Sequence, residues 1–140
     1  MAKVAVVYWS GTGNTEAMAQ AVEAGAKAAG AEVAKFTSAE FGAAQFDEYD
    51  AVAFGCPSMG DESLEEDEFR PMFDSLKGKL SGKKTALFGS YGWGDGEWMR
   101  NWNEECKAAG AAMACDFVIC NEAPDDEAQE KCRALGAALA

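Results

Sequence analysis

Three short apolar segments constrain the fold of this chain more than any other feature of its sequence. They are nearly continuous apolar runs at residues 3–8 (KVAVVY), 51–55 (AVAFG) and 85–89 (TALFG). Such runs are typical of strands that are buried on both faces of a parallel sheet. Two further β-rich runs lie at 32–36 (EVAKF) and 113–120 (MACDFVIC). The sequence therefore predicts a sheet of five strands.

Helical spacing of apolar residues separates these runs. Asp126, with Gln129 three residues later, is predicted to cap the last helix. The segment 37–49 is ambiguous and is compatible with a short helix. Strands that alternate with helices predict the α/β class, here as one domain over 1–140 built as a three-layer α/β/α sandwich. The predicted helices cover 15–30, 69–80, 98–110 and 128–139.

The charge balance excludes several classes of function. The chain of 140 residues has 24 Asp and Glu, 12 Lys and Arg, and no His, so its formal net charge is −12. A protein this acidic repels phosphates and anionic lipid, so neither a nucleic acid nor a membrane is expected as a partner. The absence of His excludes His-based catalytic triads and His-containing metal sites. We expect no metal site.

The cysteines indicate a reducing environment. Their number, five, is odd, and no C-x-x-C motif occurs. This pattern favours free thiols that pack as small apolar side chains. No apolar run reaches the roughly 18 residues of a membrane span, and the first residues begin a strand instead of a signal peptide. The sequence therefore predicts a soluble, cytoplasmic protein.

Right-handed crossovers place the strand-to-helix loops at the carboxyl edge of the sheet, where α/β folds bind ligands. The first of these loops is rich in glycine and in neutral hydrogen-bonding groups. Free N–H groups at the start of the following helix favour a phosphate. The loop lacks the Lys of a Walker motif and the third Gly of a dinucleotide fingerprint, and an ordinary turn is the alternative. The predicted phosphate ligands are Ser10, Gly11, Thr12, Gly13, Asn14 and Thr15.

The second and third loops carry groups that suit a flat ligand. Residues 56–62 read CPSMGDE and residues 90–97 read SYGWGDGE. Trp93 lies between two glycines and could stack on a planar ring, and Met59 is a polarizable group for the opposite face. A lid over the core is the alternative reading of Trp93. A phosphorylated ligand with a planar head, such as flavin mononucleotide (FMN), fits the three loops together.

Three motifs in register give the chain a family resemblance. They are VYWSGTGNTE at 7–16, MGDE at 59–62 and GSYGWGDGEWM at 89–99. Over essentially its whole length the chain resembles the flavodoxins, and in particular the short-chain members. The resemblance implies a strand order 2-1-3-4-5, non-covalently bound FMN, and a one-electron carrier that is not an enzyme.

The resemblance also implies roles for individual residues. The first loop binds the phosphate, with the hydroxyl of Ser90 as a further donor, and Trp9 flanks the phosphate. Trp93 covers the outer face of the flavin and Met59 the inner side.

By the same resemblance, the second loop supplies the groups that respond to the redox state of the flavin. The Gly60–Asp61 peptide changes its orientation with the redox state, and the Glu62 carboxylate accepts the flavin N3–H. Asn121 is expected near the ribityl chain. Other implied contacts in the same loops are Pro57, Ser58, Tyr91, Gly92 and Gly94. Of these, Pro57 stands where some relatives carry Ser, which removes one potential phosphate contact.

The charge around the loops predicts the redox behaviour. No Lys, Arg or His lies in 9–15, 57–68, 90–97 or 121–126, whereas Asp and Glu are frequent there. These carboxylates oppose the negative charge that a second electron brings. The chain is therefore expected to be a low-potential carrier that shuttles between the semiquinone and the hydroquinone of FMN.

The distribution of charge also predicts the partners. The acids gather at the carboxyl edge and a group of lysines precedes the fourth strand, so the molecule should turn its flavin end toward basic docking faces of redox proteins. Such contacts would be transient, and the protein is expected to be a monomer. A merely solubilising acidic surface is the alternative. The lysines are Lys77, Lys79, Lys83 and Lys84.

Two other functions are compatible with the same fold. An FMN-dependent quinone or flavin reductase would need a substrate pocket, and oxidation of NADPH by the pure protein would indicate it. A phospho-acceptor signalling domain would need an exposed Asp at the end of the third strand, where this chain has Gly55 and Cys56.

Overall fold

Strands and helices alternate along the chain in the computed structural model, which describes residues 2–140. The strands are β1 (Lys3–Tyr8), β2 (Glu32–Thr37), β3 (Ala51–Gly55), β4 (Lys84–Tyr91), β5 (Ala112–Met113) and β6 (Val118–Asn121). The α-helices are α1 (Asn14–Ala28), α2 (Ala43–Phe46), α3 (Phe69–Leu76), α4 (Glu97–Ala108) and α5 (Asp126–Leu139). Short 3₁₀ turns cover Ser38–Glu40 and Lys77–Lys79.

The sheet is parallel, with the strand order β2-β1-β3-β4-β5, and β6 also pairs with β4. The predicted α/β/α sandwich with order 2-1-3-4-5 is thereby confirmed, with one difference. The fifth strand, predicted as one run over 113–120, is broken into β5 and β6. Thr85 and Phe88 of β4 pair with Met113 and Val118, so residues 114–117 stand opposite only 86 and 87. The two extra residues form a bulge that cannot join the ladder.

One face of the sheet packs on α1 and α5, which lie close together because glycine occurs in each. A Cβ atom at Gly25 of α1 would lie 1.9 Å from the carbonyl oxygen of Arg133. A Cβ atom at Gly136 of α5 would lie 2.0 Å from the carbonyl oxygen of Val22. Met18 and Cys132 are fully buried in this layer, together with Val4 of the sheet. The close helix contact fixes where α1 begins, and so positions the loop that precedes it.

The opposite face of the sheet packs on α3 and α4 through aromatic side chains. Trp102 of α4 meets the rings of Phe69 and Phe73 edge to face, with centroids 5.4 and 5.8 Å apart. Phe54 of β3 meets Phe73 in the same way at 5.4 Å. Such edge-to-face pairs are the favoured geometry for aromatic rings. This layer supports the second and third loops from behind.

Two details of the sequence-based expectations change. Asp125 caps α5, not Asp126, because the Asp125 carboxylate accepts the N–H of Ala128 at 2.8 Å. Cys56, Cys106 and Cys132 are buried as predicted, but two other cysteines are only half-buried; these are Cys115 and Cys120. Within residues 2–140, no helix is long and apolar enough to cross a membrane.

Candidate ligand-binding site

The loop between β1 and α1 is organised around the hydroxyl of Ser10. Its oxygen accepts the backbone N–H of Gly13 at 3.1 Å and that of Glu16 at 3.3 Å. Gly13 has φ +96°, a left-handed conformation that disfavours any residue with a Cβ. A Cβ at Gly11 would lie 3.0 Å from the indole of Trp9, so that ring lies directly against the loop.

The start of α1 presents hydrogen-bond donors that the protein leaves unused. Gly13 precedes the helix and supplies no side-chain cap. In the described part of the chain, the backbone N–H groups of Thr12, Asn14 and Thr15 have no protein acceptor. These donors and the positive end of the helix dipole suit an anion. The donor set therefore fits the phosphate that the sequence predicts.

Ser90 connects the first loop to the rest of the site. Its hydroxyl lies 3.1 Å from the hydroxyl of Thr15, and both side chains are buried. The carbonyl oxygen of Ser90 accepts the N–H of Ser58 at 3.0 Å. The first three loops therefore meet at the end of β4, as parallel strands require.

The second loop turns back on itself between Met59 and Ser63. Their backbones exchange two hydrogen bonds, of 2.9 and 3.2 Å. Gly60 (φ +23°) and Glu62 (φ +58°) both adopt left-handed conformations inside this turn. A Cβ at Gly60 would meet no atom within 4 Å, so backbone conformation alone favours glycine there.

The third loop holds the indole of Trp93 out into solvent. Trp93 is 61% exposed, and among residues 2–140 it is the one large apolar side chain that is exposed. The loop is braced by Arg100 of α4, whose guanidinium donates to the carbonyl oxygen and to Oδ1 of Asp95, each at 3.0 Å. No cation was expected within the loops themselves, but Arg100 reaches one of them from the next helix.

The loop after β6 is tied to the third loop through Tyr91. The carbonyl oxygen of Tyr91 accepts the side-chain amide of Asn121 at 3.2 Å and the N–H of Glu122 at 2.8 Å. Glu122 has φ +59° and its carboxylate lies near Gly92. The predicted ligand contacts of this loop included Asn121 but not Glu122, which the sequence placed only among the surrounding acids. Its left-handed backbone is a tertiary feature with no sequence signal.

A cleft of about 230 Å³ opens where these loops meet. Three of the six predicted phosphate ligands line it, namely Gly11, Thr12 and Asn14, and the predicted Ser90 and Tyr91 of β4 line it together with Glu122. The other predicted residues lie outside it, among them the buried Thr15 and the exposed Trp93, and Glu62 and Asn121 line neighbouring depressions. The cleft is lined by Trp9, Gly11, Thr12, Asn14, Pro57, Ser58, Met59, Ser90, Tyr91, Gly92 and Glu122.

The remaining predicted residues surround the cleft. Ser10 and Gly13 line a second depression of about 400 Å³ behind the first loop. Gly94 lies in the third loop, and Gly60 and Asp61 lie in the second loop. In residues 2–140 no group of three Cys, Asp or Glu side chains is arranged to hold a metal ion.

Glu65 has a role that the sequence did not indicate. The sequence places it among the acids of the carboxyl edge, but the side chain is buried. Its carboxylate accepts the N–H groups of Asp67 (2.9 Å), Glu68 (2.7 Å) and Phe69 (2.9 Å) at the start of α3. Burial pushes the pKa of Glu65 upward, but these three donors outweigh it and leave the pKa below the usual value. Glu65 is thus a helix cap and not part of the acidic surface.

The fold defines a doubly wound α/β protein, and its cleft lies at the carboxyl edge of the sheet, where such folds bind ligands. The family model for flavodoxin matches residues 6–136. The chain is 46% identical to the flavodoxin of Megasphaera elsdenii over 137 residues, which are 98% of each chain. It is 42% identical to that of Clostridium beijerinckii over 135 residues, 96% of this chain and 97% of the other.

Solved structures agree with the sequence comparison. The solution structure of two-electron reduced Megasphaera elsdenii flavodoxin superposes with a TM-score of 0.89 and covers 97% of both chains at 46% identity. This chain belongs to the flavodoxin family. The expected FMN cofactor and the function as an electron carrier between redox partner proteins are confirmed, and the reductase alternative is not favoured.

Proposed function

We propose that the residues predicted from the sequence form the FMN site, with the phosphate on the first loop and the flat ring between Met59 and Trp93. The unused N–H groups of Thr12, Asn14 and Thr15 support the position of the phosphate. The exposed indole of Trp93 supports the position of the ring. In this proposal the whole chain, 1–140, acts as one flavodoxin domain.

The size of the cleft supports a ligand that is only partly enclosed. Its volume of about 230 Å³ lies below the roughly 300–1,000 Å³ of typical ligand pockets. The phosphate and the ribityl chain would take this space near Ser58, and Asn121, in the neighbouring depression, would lie beside the ribityl chain. The ring would extend over Met59 toward Trp93, with one edge in solvent. An exposed ring edge suits transfer of an electron to another protein.

The second loop is proposed to adjust the redox potential. FMN supplies the electron chemistry when bound. The left-handed Gly60 lets the Gly60–Asp61 peptide reorient at little cost, so that the Gly60 carbonyl oxygen would be able to accept a hydrogen bond from an N–H at N5 of a bound flavin. Asp61, Glu62 and Glu122 place negative charge near the site, and Arg100, already paired with Asp95, offsets little of it. These charges oppose the addition of a further electron, which supports a low-potential carrier.

The partners are proposed to dock at the acidic carboxyl edge, with this protein as a monomer in the cytoplasm. Glu66, Asp67 and Glu68 are exposed there. The lysines at the opposite end contribute less than the sequence suggests, because Lys77 pairs with Glu105 and Lys79 with Asp47. Free thiols at all five cysteines support a reducing compartment.

One pair of variants tests the site. Thr15→Val keeps the shape of a buried side chain and removes its hydroxyl. Thr85→Val is the control. It also removes the hydroxyl of a buried threonine, but at the end of β4 that lies away from Ser90, where the hydroxyl donates to the carbonyl oxygen of Lys83. Dissociation constants for FMN and for riboflavin, which has no phosphate, are measured for each. We expect Thr15→Val to weaken the binding of FMN about tenfold to a hundredfold, as for the loss of a hydrogen bond to a charged group. The affinity for riboflavin should stay unchanged.

The control is expected to leave both affinities unchanged. Equal losses for FMN and riboflavin in Thr15→Val would contradict the phosphate assignment. A wild-type protein that binds neither flavin would reject the site altogether.

A second pair of variants tests the docking surface. Glu66→Lys with Asp67→Lys reverses charge at the carboxyl edge, and Glu32→Lys with Glu48→Lys makes the same change in net charge elsewhere. The rate of electron transfer to a small basic redox protein is measured at rising ionic strength. We expect the first pair to slow transfer at low salt and to flatten its salt dependence. Equal effects of the two pairs would show that only net charge matters.

A further inference from the structure

Glu62 of the second loop and Gly94 of the third loop are in direct contact. The Glu62 carboxylate accepts the backbone N–H of Asp95 through Oε1 at 3.2 Å. A Cβ atom at residue 94 would lie 1.9 Å from Oε1 and 2.6 Å from the carboxyl carbon of Glu62. The carboxylate therefore occupies the space that any other residue at position 94 would fill.

The backbone of Glu62 is held in a conformation that it would not adopt freely. Its φ of +58° is unusual for a residue with a long side chain. The hydrogen bonds between Met59 and Ser63 enforce the turn that requires this conformation. Strain of this kind is found where a side chain must be aimed. Here it directs the carboxylate of Glu62 across the gap between the loops.

We propose that Gly94 is a positioning residue that sets the place of the Glu62 carboxylate. Because residue 94 has no Cβ, Oε1 can bind the N–H of Asp95 while Oε2 stays free for a donor on the ligand. The inference rests on the proposed FMN site, in which Glu62 receives the imide N3–H of the flavin. It adds a specificity determinant in the third loop: recognition of N3–H depends on a glycine that need not touch that atom.

Alanine at position 94 has a defined effect because the obstructing group is the end of a flexible side chain. The carboxylate would swing away, whereas the backbone of the second loop would keep its hydrogen bonds. Position 94 also has φ +85°, so alanine adds backbone strain. Gly82 provides the matched control, because its φ is +77° and a Cβ there would meet no atom within 4 Å.

The experiment compares FMN with 3-methyl-FMN, which lacks the N3–H donor. Dissociation constants are measured for the wild type, Gly94→Ala, Glu62→Ala, the double variant and Gly82→Ala. In the wild type and in Gly82→Ala we expect methylation to weaken binding about tenfold to a hundredfold, as for loss of a hydrogen bond to a carboxylate. In Gly94→Ala this ratio should fall below about threefold, and the same should hold for Glu62→Ala.

The double variant shows whether Gly94 acts through Glu62. If it does, Gly94→Ala changes the ratio no further once Glu62 is alanine. The proposal is overturned if Gly94→Ala weakens both flavins equally and keeps the wild-type ratio, or if it lowers the ratio equally in the Glu62→Ala background. A wild-type protein that binds FMN with no preference over 3-methyl-FMN would reject the role of Glu62 while leaving the FMN site intact.

The cofactor-free protein provides an independent measurement. The amide of Asp95 should exchange its hydrogen slowly in the wild type, because Glu62 accepts it. Exchange should accelerate in both Gly94→Ala and Glu62→Ala and stay slow in Gly82→Ala. Unchanged exchange in Gly94→Ala would show that the carboxylate has not moved, and would contradict the proposal without reference to flavin.

Discussion

The indole N–H of Trp98 donates a hydrogen bond of 3.2 Å to the carbonyl oxygen of Cys56. This bond joins the first turn of α4 to the end of β3, and so links the bases of the second and third loops beneath the cleft. Gly89 makes room for it, because a Cβ there would lie 2.2 Å from the same oxygen. The relative position of the two loops is therefore set from below, by buried groups that are not among the residues lining the cleft.

Replacing Trp98 by phenylalanine should destabilise the protein through this bond. Trp102→Phe is the control, since Trp102 is equally buried and its indole N–H has no hydrogen-bond partner among residues 2–140. Both changes lose a similar volume, but only Trp98→Phe leaves a buried carbonyl unpaired. We expect its free energy of unfolding to fall by about 1–3 kcal/mol more than that of Trp102→Phe, measured by urea denaturation. Equal losses would mean that the bond contributes nothing.

Glu65→Gln should change how stability depends on pH. The pKa of Glu65 in the folded protein lies below that of the unfolded chain because three N–H groups bind the carboxylate. Its contribution is therefore complete above the unfolded pKa of about 4.3 and is lost as the pH falls through the folded pKa. We expect the variant to be less stable by about 1–3 kcal/mol at pH 7.

The difference between Glu65→Gln and the wild type should narrow progressively in acid, in chemical denaturation at pH 7, 5, 4 and 3. A constant difference across this range would be inconsistent with a carboxylate cap. Glu66→Gln is the control, because Glu66 is exposed and its substitution should have little effect at any pH.

Trp93→Ala tests the stacking surface. The indole is 61% exposed, so its removal should leave the unfolding free energy of the cofactor-free protein nearly unchanged. Loss of an aromatic contact with the ring should weaken the binding of FMN by about 1–3 kcal/mol, roughly fivefold to 150-fold. Fluorescence titration of the cofactor-free protein measures this affinity. Unchanged affinity would contradict stacking of the flavin on Trp93.

Gly60→Ala should lower the potential of the first one-electron step. The left-handed conformation of Gly60 and the proposed reorientation of the Gly60–Asp61 peptide are easy for glycine. Alanine disfavours them by about 1–3 kcal/mol and so removes stabilisation from the one-electron reduced state. Each kcal/mol corresponds to about 40 mV for one electron, so a shift of about 40–130 mV is expected in potentiometric titration. Gly30→Ala is the control, since it has φ +96° with free space around it and lies away from the site. The same shift in both variants would assign the effect to global strain.

Local patterns in the sequence were sufficient for the fold class. The apolar runs predicted the bounds of β1 and β3 to the residue. Strands that are buried on both faces consist almost entirely of apolar residues, so the sequence alone indicates where they begin and end. The prediction of one continuous fifth strand over 113–120 was wrong. The bulge at residues 114–117 depends on the pairing of β5 and β6 with β4 and not on those residues alone. The prediction of the cap of α5 was wrong by one residue. Asp125 and Asp126 are equivalent candidates in the sequence, and only the backbone conformation decides which of them caps the helix.

The sequence by itself determined the residue types at the proposed site: a first loop of neutral donors, an indole between glycines, and an acidic edge without histidine. Those properties depend on residue type and local spacing, which the linear chain contains. Only the tertiary structure decided that Glu65 is a buried cap, that Arg100 reaches Asp95, and that the carboxylate of Glu62 lies against Gly94. Each of these is a contact between segments distant in sequence or a choice of backbone conformation, and no single residue specifies it.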